Sequence, residues 1–395
     1  MSAATQLAAR PAPLARARAI APVIAASADA IEAGSELPPA LLDALHGAAM
    51  FRALLPRSLG GDEARPADYV RMMMVIAGAD ASTAWCIGQN SGCSMASAYM
   101  APAVARHIWG DDPRAALAWG AGPQGVARVV PGGYVVSGRW GFASGGRHAT
   151  WIGGHSRVQE PDGTLRLDAG GTPIERSMLF PKAAVTMTPD WNVMGLRGTG
   201  SDSYEVRDLF VPGAYSVMRD APAERREDGT LYRFTTTNLY AAAFGAVALG
   251  IARAMLDAFK TLAADKTPQA MRQKLADNQA IQKEFAIAEA RLAAASALLV
   301  TTLEEIWDSV SVSGQMTVDE RMRIRLAATF CTHQAREVAD FAYHEAGATA
   351  IFASQAFERR FRDIHTVSQQ VQARSAHFET VGAHLLGLSP PLRFI

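Results

Sequence analysis

The hydrophobic period of the chain changes twice, and this constrains the fold more than any single motif. Between about Leu117 and Ala214 the pattern is one of short runs punctuated by Pro131-Gly132-Gly133, Pro161-Asp162-Gly163, Gly170-Gly171, Pro181 and Pro189, which predicts strands and turns. On either side the apolar residues step by three and four. Leu41, Leu42, Leu45, Ala48 and Ala49 after Pro38-Pro39 make a short helix, closed by a turn at Leu59-Gly60-Gly61. Tyr69 to Ala79 and Thr83 to Ala98 continue the helical pattern, with Asp80 or Ser82 available as the cap of the second. Beyond the β region, Tyr240, Phe244, Val247, Ile251, Met255, Ala258 and Leu262 form one long stripe. Ile281, Phe285, Ala288, Leu292, Ala295, Leu299, Thr302 and Ile306 form a second, and Met322 to Glu345 and Ser368 to Leu386 bring the helices to four. The expected fold is mostly α with a central β-domain. It comprises an N-terminal helical domain (1–115), a middle β-barrel or sandwich (116–220) and a C-terminal four-helix bundle (221–395).

Within the β region, Tyr134 to Trp140 alternates after the turn signal at Pro131-Gly132-Gly133, as one arm of a hairpin does. From Pro113 to Gln159 there is no Asp or Glu, yet Arg114, Arg128, Arg139, Arg147 and Arg157 all fall there. This local positive excess favours an anionic ligand, or it is an acid-poor sheet with a solvated face. Trp119 to Ser144 is therefore the expected cofactor segment, with Trp119, Gly122, Gln124, Trp140, Phe142 and Ser144 as candidate contacts. Gly120, Gly122 and Gly125 spell G-x-G-x-x-G, but Pro123 and an extended Val126 to Val130 follow, and no acid comes until Glu160. A dinucleotide fingerprint needs a helix at that point and an acid about 20 residues on, so these glycines are expected to form a loop that opens backbone amides to a ligand.

With 38 basic and 38 acidic residues, the balance of charge gives no reason to expect nucleic acid or a polybasic membrane contact. No apolar run looks long enough to cross a membrane. Cys86, Cys93 and Cys331 are too few and too scattered for a disulfide framework or a paired metal motif, which suits a reducing cytoplasm. Residues 1–28 hold Arg10, Arg16 and Arg18 and no acid until Asp29, a composition shared with transit peptides, although Pro11 and Pro13 interrupt an amphipathic helix. His365, His377 and His384 follow no metal-ligand spacing, so no metal is expected, and there is no G-x-S-x-G nucleophile elbow.

The order and sizes of these regions, together with several motifs, resemble the acyl-CoA dehydrogenase superfamily almost end to end. Leu55-Pro56 with Leu59-Gly60-Gly61 is similar to its LP-x-x-x-GG turn. GRWGFASGG at Gly138 to Gly146 resembles its flavin-facing strand, and WNVMGLRGTGSDSYEVRDLFVP at Trp191 to Pro212 resembles its GLR…VP segment. The resemblance implies bound flavin, FAD or FMN, and a homotetramer built as a dimer of dimers. It implies further cofactor contacts at Gln282, at Arg272 across a subunit boundary, and at Gly347 and Ala348 in the GATAI turn, and it matches Arg362-Asp363 to the RD before the catalytic segment.

A dehydrogenase of this superfamily needs a carboxylate base, nine residues after the Arg of RD; here that position is Val371, flanked by Gln370 and Gln372. TAW at Thr83 to Trp85, GRWGFASG, GLRGTGS and HFETVGAHLLG at His377 to Gly387 are more similar to the two-component flavin-dependent monooxygenases, the p-hydroxyphenylacetate hydroxylase oxygenase and dibenzothiophene monooxygenase branch. That branch implies reduced flavin from a separate reductase, O₂, and a small organic substrate. It implies Ser144 near flavin N5, or as a turn cap, and His365 as acid or base, or as a surface residue at a helix end. Where several members have histidines this chain has Cys93 and Gln370, so Gln370 joins Ser144 and His365 as a catalytic candidate, and Trp85, Asn90, Cys93 and Val371 are expected to line, with it, a differently polar pocket. The functions expected are a flavin-dependent monooxygenase first, an acyl-CoA dehydrogenase-type FAD oxidoreductase second and a non-catalytic binding or assembly protein third.

Overall fold

The computed structural model describes residues 10–392 together with 394 and 395, and within them the chain is mostly helical around one mixed sheet. Five helices come first: α1 (Pro13–Gly34), α2 (Pro39–Gly47), α3 (Pro66–Ala79), α4 (Ala81–Ser94) and the single turn α5 (Pro102–Ala105). Eight strands follow: β1 (Leu117–Trp119), β2 (Gly125–Val130), β3 (Gly133–Trp140), β4 (Trp151–Gln159), β5 (Glu175–Pro181), β6 (Thr186–Thr188), β7 (Ser203–Pro212) and β8 (Ser216–Val217). The chain closes with α6 (Thr236–Asp265), α7 (Gln279–Ser313), α8 (Val318–Ala346), α9 (Glu358–Val367) and α10 (Ala376–Leu385).

The sheet runs β6-β7-β3-β2-β4-β5-β8, with β1 added beside β4. The β2–β3 hairpin forms at the expected turn, Val130 pairing with Gly133 and Gly132 taking a φ of 82°. β1 and β2 both run parallel to β4, and the remaining pairs are antiparallel. Trp140 fills the centre of this sheet. A Cβ at Gly125, Gly138 or Gly154 would come within 2.3, 2.6 or 2.6 Å of its ring, so three strands leave out side chains to make a slot for one indole. Its Nε1 donates to His155 O at 2.9 Å and its ring stacks on Tyr204. Trp140 is thus a core residue with no exposed surface, which corrects its assignment as a flavin contact.

Asp80 caps α4, accepting from the Thr83 amide at 2.7 Å. The stripes on α6 and α7 face inward as the period requires, and α6 is buried along most of its length against α3, α4 and α8. By length and composition α6 and α7 are each apolar enough to cross a membrane, which corrects the expectation that no such segment exists; α6 spends that apolarity on the core, whereas 33% of α7's apolar window is buried. α1 is a helix that the proline positions concealed. Pro13 occupies its first turn, where no amide partner is needed, and Ala17, Ile20, Ile24, Ala28 and Ile31 form its buried stripe. Residues 1–9 of the transit-like segment lie outside the described residues. The fourth bundle helix, expected over Ser368 to Leu386, is instead α9, a tight turn at Val371–Ala373, and α10. Phe357, Ile364 and Val367 supply α9 with an apolar face ten residues earlier, and Gln370 Oε1 accepts from the Gln372 amide at 2.6 Å, breaking the helix there.

Candidate functional site

Two loops meet beyond the end of β3. Phe142 takes a left-handed backbone (φ 64°), so its side chain turns outward and stays 66% exposed while Ala143 and Ser144 turn inward. Opposite lies the segment 191–202, whose Trp191 meets Phe142 edge to face at 6.0 Å. Arg147 holds the two loops together, donating from Nε and Nη2 to Asp202 at 2.7 and 3.1 Å, and Asp202 also accepts from the Trp191 amide. From the helical side, α9 presents Asp363, whose Oδ1 accepts from the Leu196 amide at 2.6 Å.

Between the loops runs a chain of hydroxyl groups whose proton order can be assigned. Thr199 Oγ1 donates to Leu196 O at 2.8 Å, which commits its one proton. Its 2.7 Å contact with Ser201 Oγ is then donated by Ser201, and the 2.7 Å contact between Ser144 and Ser201 is donated by Ser144. Trp85 Nε1 donates to Ser144 Oγ at 3.1 Å. Ser144 is therefore left with acceptor capacity alone, in a 5% exposed position beside the outward-facing Phe142. The ring of Trp85 stacks on Phe244 at 4.0 Å and Phe244 on Tyr240 at 5.7 Å, so an aromatic row leads from Ser144 toward Cys93. Tyr240 donates to Gln89 O at 3.2 Å and sits 3.4 Å from Cys93 Sγ. Burial pushes the Cys93 thiol up to about 12 and keeps it protonated, so it is the donor of that pair.

The expected residues thus fall into separate groups. Trp85, Phe142, Ser144 and Cys93 share one neighbourhood. Asn90 is a strut: it is 1% exposed, its Nδ2 donates to Leu117 O at 2.9 Å, and its Oδ1 accepts from His148 Nε2 at 2.9 Å. Burial, reinforced by the nearby His46 and Lys182, pushes His148 down to about 3, so that imidazole is neutral. Both ends of the Asn90 amide are spoken for, which corrects its assignment to the pocket. The glycine loop is also more closed than expected, because the Gly120 amide donates to Tyr204 Oη and the Ala121 amide to Gly141 O; Gly122 and Gln124 remain exposed there. It leads into β2, as a strand and not a helix. Of the five arginines, Arg114, Arg139 and Arg147 are paired by Asp43, Asp190 and Asp202, so the positive excess is partly cancelled from outside the segment.

His365 lies on the α8–α9 seam, its Nε2 2.8 Å from Asp340 Oδ1 and its ring 4.4 Å from Phe361. No contact joins it to the Ser144 group among the described residues, which corrects the pairing of the two as one catalytic set. Gln370 and Val371 stand on the turn between α9 and α10, with Gln370's carbonyl oxygen engaged in the turn itself. Arg272, Gln282, Gly347 and Ala348 form another group, all exposed. Lys266 ties its two halves together by donating to Ala346 O at 2.6 Å and Thr349 Oγ1 at 2.8 Å. Two cavities, about 450 Å³ beside Arg52 and Arg106 and about 710 Å³ between α1, α3, α6 and α7, lie away from both groups. Thr199, Ser201, Asp202 and Asp363 are the site residues that residue-level reading misses; GTGS and RD are the only signals of them, and these speak through resemblance alone.

A model of the acyl-CoA dehydrogenase C-terminal domain matches residues 242–374. The indole-3-acetate monooxygenase of Pseudomonas putida is 28% identical over 350 residues, covering 89% of this chain and 87% of its own length. The flavin-dependent monooxygenase oxygenase subunit HsaA of Rhodococcus jostii is 27% identical over 362 residues, covering 88% of this chain and 91% of its own. Among solved structures, the 3-HSA hydroxylase from Rhodococcus sp. RHA1 aligns with a TM-score of 0.87 and 25% identity over 97% of this chain and 99% of that one. Fold, motifs and relatives agree: residues 242–374 match the C-terminal domain of acyl-CoA dehydrogenases, and the chain as a whole is similar to the oxygenase components of two-component flavin-dependent monooxygenases.

Proposed function

We propose that this protein is the oxygenase component of a flavin-dependent monooxygenase, using reduced FAD or FMN and O₂ to oxygenate a small aromatic substrate. The observation that carries this reading is the polarity of Ser144. The hydroxyl chain leaves it only as an acceptor, and N5 of a reduced flavin bears a hydrogen to donate, whereas N5 of the oxidised ring does not. When bound, the reduced flavin supplies two electrons and activates O₂ for transfer of one oxygen atom. The chain's own part is to hold the ring beside Phe142, Trp191 and Ser144, to keep water from the reacting groups, and to orient the substrate along the aromatic row.

The carboxylate chemistry of a dehydrogenase has no support here. Val371 stands on the α9–α10 turn, Asp363 is engaged by Leu196, and Glu379 is exposed on α10. Without a base, α-proton abstraction from a thioester forgoes about 10²–10⁴-fold in rate. Stopped-flow mixing tests the choice. Pre-reduced enzyme–flavin complex should react with O₂ and form oxygenated product from an aromatic substrate, whereas rapid anaerobic bleaching of oxidised flavin by an acyl-CoA would establish a dehydrogenase.

We further propose a division into 1–115, 116–220 and 221–395 as helical, β and four-helix-bundle domains. The assembly proposed is a homotetramer in which the exposed Arg272, Gln282, Gly347 and Ala348 face flavin held by another copy. A separate reductase supplies the reduced flavin, and the three free, buried cysteines suit a cytoplasmic setting.

A further inference from the structure

The far end of the aromatic row carries a cation without a counter-ion. Arg219 follows β8, is half-buried, and stacks its guanidinium over Trp119 at 4.8 Å. It has no hydrogen-bond or ion-pair partner among the described residues. The acid beside it in sequence, Asp220, is used elsewhere, accepting from the Thr236 amide at 3.0 Å and Thr236 Oγ1 at 2.9 Å. Glu224 is likewise committed, to Arg176 at 2.6 Å.

The groups on the ring side of Arg219 are aromatic and uncharged. Trp119 lies 5.0 Å from His155, and the His155 Nδ1 is 2.7 Å from Ser177 Oγ. Burial, with the Arg219 charge adding to it, holds His155 well below its ordinary value and therefore uncharged. Cys93 and Tyr240 are protonated through burial, and both feel the Arg219 charge. The buried Tyr99 hydroxyl feels the charge of Asp220 and, in the opposite sense, those of Arg225, Arg233 and Arg219. A guanidinium kept half out of water against an indole, with the neighbouring acids occupied elsewhere, is a preformed half of a bidentate pair.

We propose that Arg219 is the specificity determinant for an anionic substrate, pairing with the carboxylate of a small aromatic acid whose ring lies against the Trp119–Tyr240 end of the aromatic row. This rests on the monooxygenase function proposed above, and it names the substrate class. The planar fork of arginine fits a carboxylate through two parallel hydrogen bonds, and the apolar setting strengthens them over the same pair in water. A neutral amide of the same shape would lose the charge and one acceptor.

The test compares indole-3-acetate with indole-3-acetamide on the whole protein, using isothermal titration calorimetry for binding and product formation for turnover. Wild type should bind the acid more tightly than the amide. Arg219→Met should weaken acid binding, and raise its KM, by about tenfold or more, with the amide changed less than about twofold. Arg219→Lys, which keeps the charge but not the fork, should recover part of the loss. A wild type with no preference for the acid, or an Arg219→Met that binds acid and amide with unchanged affinities, overturns the assignment. Because binding is read without flavin, failure of the monooxygenase function would show separately, as absence of oxygenated product despite tight, Arg219-dependent binding of the acid.

Discussion

Ser144 takes its chemical character from residues it does not choose. Its hydroxyl hydrogen is claimed by Ser201 because Ser201's own is claimed by Thr199, and that of Thr199 by the Leu196 carbonyl. Removing Ser201 frees the Ser144 proton, and Ser144 gains the ability to donate to the bare N5 of oxidised flavin. Ser201→Ala should therefore lower the preference for reduced over oxidised flavin by about three- to tenfold, the worth of one hydrogen bond. Paired anaerobic and aerobic titrations would show it, and a ratio that stays constant or rises would refute the assigned proton order. Ser144 itself is legible in the sequence, in GFASGG after an alternating run, but its polarity is not. Ser201 and Thr199 come more than fifty residues later, and nothing local says that their loop closes back on β3. The misassignment of Trp140 has the same origin. An aromatic residue at a strand end looks available to a ligand until Gly125, Gly138 and Gly154, drawn from three strands, are seen to enclose it.

Among the elements, α9 acts as a brace, and its Asp363 makes that brace titratable. Burial pushes the Asp363 carboxyl up to about 7, with Asp80 and Glu32 adding to it and the Leu196 amide opposing. The folded protein therefore holds a proton there that the unfolded chain, with an ordinary carboxyl near 3.8, has released. The associated stability is fully present below pH 3.8 and is lost as pH rises through about 7, where the folded carboxyl ionises. Asp363→Asn keeps an acceptor for Leu196 and removes the titration, so its melting temperature should gain on wild type between pH 5 and 7.5; a constant difference across that range would be the contrary result. The long helices α6, α7 and α8 were plain from their three-four periodicity, which burial in a helical core imposes. α1 was hidden by prolines that resemble breakers: Pro13 sits in the first turn, which a helix tolerates, and across Pro22 in the interior the helix continues with its buried stripe of Ile20, Ile24, Ala28 and Ile31. The break between α9 and α10 was hidden because a glutamine side chain, and no proline or glycine, interrupts the ladder.

At the scale of the molecule, α7 leaves much of its alanine-rich length exposed, with Ile287, Leu298 and Val312 facing outward. Apolar area of that kind is usually covered, and a closed dimer of dimers would cover it. Multi-angle light scattering at micromolar concentration should give about four times the chain mass, and a monodisperse monomer would refute the assembly. The change from helices to strands and back to helices was legible because each has its own period; how these elements touch was not, since contacts such as Arg362 to Met194 and Asp363 to Leu196 join residues some 170 positions apart. Leu196 is where this long-range stitching is concentrated. Its left-handed backbone (φ 54°) is gripped on the amide side by a carboxylate from the far end of the chain, while its carbonyl receives both Thr199 Oγ1 and the Trp191 indole. A fragment ending near residue 220 would lose α9, leave that amide without its carboxylate partner and uncover it to water, and so release the turn on which the hydroxyl chain terminates. The helical and β elements joined there are not modules to be cut apart and regrafted: the shape of the hydroxyl chain is set by residues on both sides of the cut.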